Sequence, residues 1–326
     1  MLVFKFEPLN NESLLFCLNN IVSSVEFESF CLGVSSSKIA KENISLVASS
    51  FLVSVGKKKA SVNFDTYILI DLDCALVSCV PSSVFVFGRY NKFSRSVAQT
   101  FHYCFKCKGK GCGYCNWSGK LSEFSVQEIL EKVFLPSFKA SSSKFHGCGR
   151  EDVDVRMLGK GRPFIFELKE PLVRNLNLRE LLEKANSVLP SAVFFSSFRY
   201  SSKQELIKLK NTDFEKIYYC VCVADSNFSV EKLNSIVGKS FIVVQRTPLR
   251  VLARRVDANR TKNVLIMSVS IIDSFTFSLQ IKASHGLYVK EFVSGDDNRT
   301  NPSISSILGV NCVCKELDVL EIVGFD

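Results

Sequence analysis

The sequence has no charge-free apolar run of about 18 residues, so no membrane-spanning helix is expected. It also lacks a secretory leader pattern. Lys5 and Glu7 interrupt the first apolar stretch, and no cleavage site follows. There is no internal repeat and no low-complexity tract, which argues against a solenoid or a disordered chain. Cysteine is plentiful at 13, but the number is odd and no disulfide framework emerges from the spacing. Several cysteines sit inside apolar runs such as Tyr219-Cys220-Val221-Cys222. Free buried thiols in a reducing compartment are therefore expected, and a cytoplasmic location with them.

What is present is ordinary globular material. The 326 residues are 47% apolar and 22% charged, enough for two domains with real cores. The net charge is +9 and is unevenly spread. Residues 1–100 carry nine Lys/Arg against eight Asp/Glu, leaving 32 against 24 for residues 101–326. A basic C-terminal part favours a polyanion such as nucleic acid.

The glycine-bearing cysteine cluster of residues 101–120 is a natural boundary and divides the chain into 1–120 and 121–326. Residues 1–100 read as a small α/β region. It has a helix at Asn11–Ser23 and strands at Ile44–Val55, Ser61–Asp71 and Ser83–Arg89. Residues 121–326 read as an α+β domain with a mixed or antiparallel sheet. Helices are expected at Val126–Phe134, Leu176–Val188 and Ser303–Leu308. Strands are expected at Arg162–Lys169, Ala192–Tyr200, Phe214–Ala224, Phe241–Gln245, Val264–Ile272, Thr276–Ala283 and Lys315–Val323. Lys139–Lys144 reads as a serine-rich connector.

Cys104, Cys107, Cys112 and Cys115 form two C-x-x-C pairs four residues apart. Each pair can turn two thiolates toward one ion, and the glycines between them let the chain fold back. Four thiolates suit a closed tetrahedral structural zinc without an open position for catalysis. A reduced cysteine-rich loop or an iron–sulfur site has the same spacing. Lys106, Lys108, Lys110, Tyr114 and Trp117 around the cluster have the chemistry to touch phosphates and bases, or simply to solvate the loop.

The second cluster is Gly147-Cys148-Gly149-Arg150-Glu151-Asp152-Val153-Asp154, followed by Gly159-Lys160-Gly161-Arg162. Glycines permit close backbone approach to a ligand. Carboxylates beside arginines suggest a polar site. On charge pattern alone, a solvated surface turn is the simpler reading.

The run Gly149-Arg150-Glu151-Asp152 resembles the catalytic Gly-Arg-x-Asp of pseudouridine synthases. With the residues to Phe164 it resembles the archaeal and eukaryotic "Pus-ten" type. Lys216-Ile217-Tyr218, Gln245-Arg246-Thr247-Pro248, Arg254-Arg255 and Tyr288-Val289-Lys290-Glu291 resemble later blocks of that family in the same order. Arg89–Arg95 resembles the end of its N-terminal THUMP-containing region. The match covers residues 85–326 and is weak before them.

The resemblance implies a pseudouridine synthase catalytic domain with a smaller zinc-containing, THUMP-like RNA-binding domain. It implies isomerisation of uridine in the T-loop of tRNA, at position 54, position 55 or both, without a catalytic cofactor. Asp152 would be the catalytic carboxylate, acting on sugar or base. Lys290 would pair with it. Tyr218 would stack on the target base, and Leu308 would line the uracil pocket. Arg150 would hold the flipped nucleotide. Arg246, Arg250, Arg254, Arg255 and Arg260 form a candidate phosphate track, or a solvated hairpin face. tRNA is the expected partner; no membrane or protein partner is implied, and the oligomeric state is left open. The rival reading is a non-catalytic zinc-containing RNA-binding protein with a degenerate synthase fold.

Overall fold

The computed structural model describes residues 1–7, 10–37 and 41–324, apart from the side chains of residues 253 and 254. Its first unit runs β1 (Leu2–Lys5), α1 (Asn11–Ser24), β2 (Ser29–Ser35), α2 (Lys41–Ser54), β3 (Lys58–Lys59), β4 (Thr66–Asp71) and β5 (Leu76–Pro81). Among the described residues these strands make one five-stranded sheet in the order β1-β5-β4-β2-β3. The side chain of Asn10 caps α1 by accepting from the Ser13 N–H. The two helices pack together and close a core of their own around Phe30, Ile68 and Leu52.

Ile44–Val55, expected as a strand, is helix. The buried residues of α2 are Ile44, Ala48 and Leu52, a four-residue spacing that lines one helical face. Leu46 and Val53 are exposed, so the apolar run is not a buried strand. Apolar content misled the expectation; the buried stripe has the helical period. The strands at Ser29–Ser35 and Leu76–Pro81 were not anticipated.

The second unit runs β6 (Val84–Lys92), α3 (Val126–Phe138), β7 (Ser142–Gly147), β8 (Arg156–Lys169), α4 (Leu178–Val188), β9 (Val193–Ser201), α5 (Lys203–Asn211) and β10 (Lys216–Ala224). It continues with α6 (Val230–Ser235), β11 (Ser240–Arg246), β12 (Asn259–Ile271), β13 (Thr276–Ala283), α7 (Val289–Ser294), β14 (Thr300–Asn301), α8 (Ile304–Leu308) and β15 (Cys312–Ile322). The strands form a ten-stranded sheet, β14-β11-β12-β13-β10-β15-β8-β6-β9, with β7 also on β8. Its pairs are antiparallel except β8 with β15. The architecture is therefore mixed α+β, and the reading of residues 139–144 as connector yields to β7 from Ser142.

The packing differs from a division at residue 120. β6 is hydrogen-bonded between β8 and β9, so the large sheet begins at Val84. The two units share a junction. Glu26 accepts from the backbone of Arg174 and Asn175, and Arg174 also donates to the Ser82 carbonyl.

The parallel seam positions the site. Met157 of β8 pairs with Val319 of β15, and Val319 pairs with Tyr218 of β10. Two strand spacings of about 4.8 Å separate the first from the last. The loop of residues 148–155, which enters β8, thus emerges beside Tyr218. Gly159 and Gly161, expected as part of that loop, lie within β8. A Cβ on Gly159 would meet the Leu320 carbonyl, and one on Gly161 would lie 2.9 Å from the Tyr90 carbonyl oxygen.

Candidate active site

A cleft of about 740 Å³ opens over the seam, and Asp152, Tyr218, Lys290, Arg150 and Arg255 all line it. Residues spread over more than 130 positions of sequence therefore meet at one place. Leu308 is buried in the core on α8 and is not among the lining residues. Arg246 also lies off the cleft wall, with its guanidinium 2.6 Å from Asp257. Arg260 donates to the Thr247 hydroxyl. The Arg254 side chain lies outside the described residues. The expected arginine track is thus divided: some of its members are neutralised or anchored locally, and others face the cleft.

Arg250 is the member whose position was not anticipated. Its Nη1 donates to Asp152 Oδ2 at 2.9 Å, and its Nε to Glu291 Oε1 at 2.5 Å. Lys290, expected as the partner of Asp152, instead donates to both oxygens of Asp154, at 2.9 and 2.7 Å. Its Nζ lies 3.8 Å from Asp152 Oδ2. Burial would raise the Asp154 carboxyl, but Lys290 outweighs it and holds that group below the usual carboxylate range. Asp152 therefore sits between two cations, with its side chain 46% exposed to the cleft.

These cations are held by secondary structure. Gln245, at the end of β11, accepts from the Tyr288 N–H and donates to the Tyr288 carbonyl, fixing the entry to α7 two residues before Lys290. Arg250 lies on a 3₁₀ turn, Leu249–Arg254, whose first N–H is accepted by Asp296.

The loop is braced from below. The Tyr90 hydroxyl lies 2.8 and 2.9 Å from the two Glu151 carboxylate oxygens, and Arg162 Nε lies 2.8 Å from the same carboxylate. Both charged side chains are 1% exposed. Gln99 donates to Tyr90 and to the Gly149 carbonyl, and Arg162 donates to the Cys148 carbonyl. The buried Lys92 ammonium donates to the carbonyls of Val97, Asp152 and Val153. Burial pulls its pKa down to about 8, against the raising effect of Glu151 and Asp154. Glu151 is thus a structural brace, while the neighbouring Asp152 points into the open.

Burial raises the Tyr218 phenol to about 12, so the ring stays neutral at ordinary pH. Lys216, two residues earlier on the same face of β10, also lines the cleft and is only 5% exposed. The signal for it was in the sequence: the period of two in Lys216-Ile217-Tyr218 puts both side chains on one face.

The four cluster cysteines lie between β6 and α3. Their sulfurs are all within 4.8 Å of one another, with contacts of 3.8 to 3.9 Å between pairs. A tetrahedron with metal–sulfur bonds of about 2.3 Å has edges of about 3.8 Å, so the set can hold a metal ion. The Gly111 and Cys112 N–H groups donate to the sulfurs of Cys107 and Cys115. All 13 cysteines are free. No helix among the described residues is long and apolar enough to cross a membrane.

Fold and site together define an α+β protein with a cation-flanked carboxylate in a basic cleft. The family model for the Pus10 C-terminal region matches residues 85–323, starting at the first strand of the large sheet. The tRNA pseudouridine synthase Pus10 of Methanocaldococcus jannaschii is 43% identical over 241 residues, 73% of this chain and 53% of that protein. Its namesake from Korarchaeum cryptofilum is 37% identical over 268 residues, covering 81% and 72%. That of Archaeoglobus fulgidus is 34% identical over 322 residues, covering 92% and 88%. The chain belongs to the Pus10 family. It spans about half the length of the Methanocaldococcus relative. Among solved structures, a chain of a Cbf5-Nop10-Gar1 complex aligns with a TM-score of 0.32 at 13% identity, covering 71% of this chain and 47% of that one.

Proposed function

We propose that this chain is a tRNA pseudouridine synthase that isomerises uridine in the T-loop, at position 54, position 55 or both, with Asp152 as the catalytic carboxylate. The observation that carries the reading is the convergence of Asp152, Tyr218 and Lys290 on one cleft in a member of this family. The reaction breaks the bond between uracil and ribose and rejoins the base through carbon. An ionised carboxylate supplies the nucleophile. Arg250 and Lys290 keep negative charge favourable at that point. Tyr218 offers a ring face for the flipped base, and loop bases cost least to extrude. Arg150 and Arg255, on the cleft wall, are suited to the flanking phosphates. The cysteine cluster holds a structural zinc, and the first unit is a THUMP-like RNA-positioning module.

The test is incubation of unmodified tRNA transcript with wild type and Asp152→Asn, reading pseudouridine by chemical mapping. Product at the T-loop from the wild type alone supports the reading. Tight binding without product would favour a non-catalytic RNA-binding protein.

A further inference from the structure

Lys216 is a buried cation for which the described residues provide no ion-pair partner. Its Nζ donates to the Phe214 carbonyl at 3.0 Å and lies 3.5 Å from His285 Nδ1. The other groups facing it are Arg162 from β8, Cys148 from the loop, Asp213 after α5 and Lys262 from β12. Arg162 is already matched by Glu151, and Asp213 lies out toward solvent. A buried ammonium without a matching anion is costly, and the cost is tolerated where a ligand supplies the missing negative charge. Lys216 retains donor capacity beyond the Phe214 carbonyl and borders the cleft.

Position selects the ligand. Lys216 and Tyr218 share one face of β10, roughly 7 Å apart along the strand. A base stacked on Tyr218 therefore brings its edge toward Lys216. An RNA phosphate would have to carry the chain down to a side chain that is 5% exposed. The base is the part of a flipped nucleotide that descends. Resting on the synthase reading above, we infer that Lys216 is a catalytic residue that donates a hydrogen bond to a keto oxygen of the target uracil, stabilising the charge that develops there.

The need for such a donor does not depend on which atom Asp152 attacks. Attack on the sugar forms an ester at C1′ and breaks the C1′–N1 bond; the electron pair leaves with uracil and spreads to O2 and O4. Addition to the base forms an ester at C6, and the C5–C6 π pair moves to an enolate at O4. Both place negative charge on keto oxygens, where a fixed cation in a partly dry site is most effective.

The experiment compares full-length wild type and Lys216→Met on unmodified tRNA transcript, measuring RNA affinity and the single-turnover rate. The expected result is unchanged affinity with a rate lower by about 10²–10³-fold. Transcript carrying 2-thio- or 4-thiouridine at the target, a weaker acceptor, should slow the wild type and slow Lys216→Met no further. Thermal melting checks that the variant is folded; if it is not, Lys216→Gln takes its place, with unchanged affinity and a rate at least about tenfold below wild type. A variant as fast as an active wild type overturns this inference alone. Lost affinity with an intact rate once bound overturns it in favour of a phosphate contact. A thio effect equal in both proteins also overturns it. A wild type that makes no pseudouridine removes the synthase reading and this inference with it.

Discussion

Replacing Glu151 by Gln should cost stability as well as activity, because its carboxylate is held by Tyr90 and Arg162 beneath the loop. The substitution keeps the shape and removes the charge opposite Arg162, leaving a guanidinium 1% exposed with no carboxylate. Breaking a buried pair from one side costs about 3–5 kcal/mol. Domains of this size shift by about 2–4 °C per kcal/mol, so the melting temperature of the large unit should fall by about 6–20 °C. Calorimetry on wild type, Glu151→Gln, Arg162→Met and the double variant reads this directly. The double variant removes both charges and should recover much of the loss, so the two single effects must be strongly non-additive. Two single variants that each cost under about 1 kcal/mol, with additive effects, would show a solvated pair and refute the brace.

Asp152→Asn should behave in the opposite way. It should abolish product, yet shift stability by no more than about 1 kcal/mol, because the carboxylate and its Arg250 partner are both well exposed. Arg250→Met should lower the turnover rate more than Arg246→Met, whose charge is spent on Asp257; single-turnover assays separate them. Asp154 is held below its unfolded value, so its contribution is present above about pH 3.9 and lost as pH falls through the lower folded value. In Lys290→Met its titration should move up, which carboxylate NMR would follow. Lys92 is depressed to about 8, so between that pH and about 10.4 the unfolded chain holds the extra proton. Its contribution to stability should rise with pH across that window, by comparison of wild type with Lys92→Met in urea melts. Metal analysis should find one zinc per chain, lost in Cys107→Ser and Cys112→Ser; iron, or no metal in reduced protein, would remove the zinc assignment.

Much of the large unit was legible in the sequence. Its strands alternate or run apolar between turn residues, and local periodicity survives into the fold. The cysteine cluster was legible for a related reason: its four sulfurs come from 12 consecutive positions, so their geometry is set by local turns. In α2 the same kind of reasoning failed, because apolar content overrode spacing. The role of β6 could not be read locally either. Nothing in Val84–Lys92 says that its partners are β8 and β9, more than 60 residues onward.

The sequence by itself marked the candidate segments: the carboxylate loop around Asp152, the Lys216–Tyr218 strand and the lysine at 290. Side-chain type and short-range spacing alone fit a solvated turn there; the motif blocks in their order along the chain are what single these segments out. Only the tertiary structure decided who pairs with whom. Arg250 rather than Lys290 is the nearest cation to Asp152, and Glu151 faces inward while its neighbour faces the cleft. Those choices depend on long-range strand order and on which side of a loop the core closes. Pairwise contacts between segments about 100 residues apart are a property of the packed chain, not of any stretch of it.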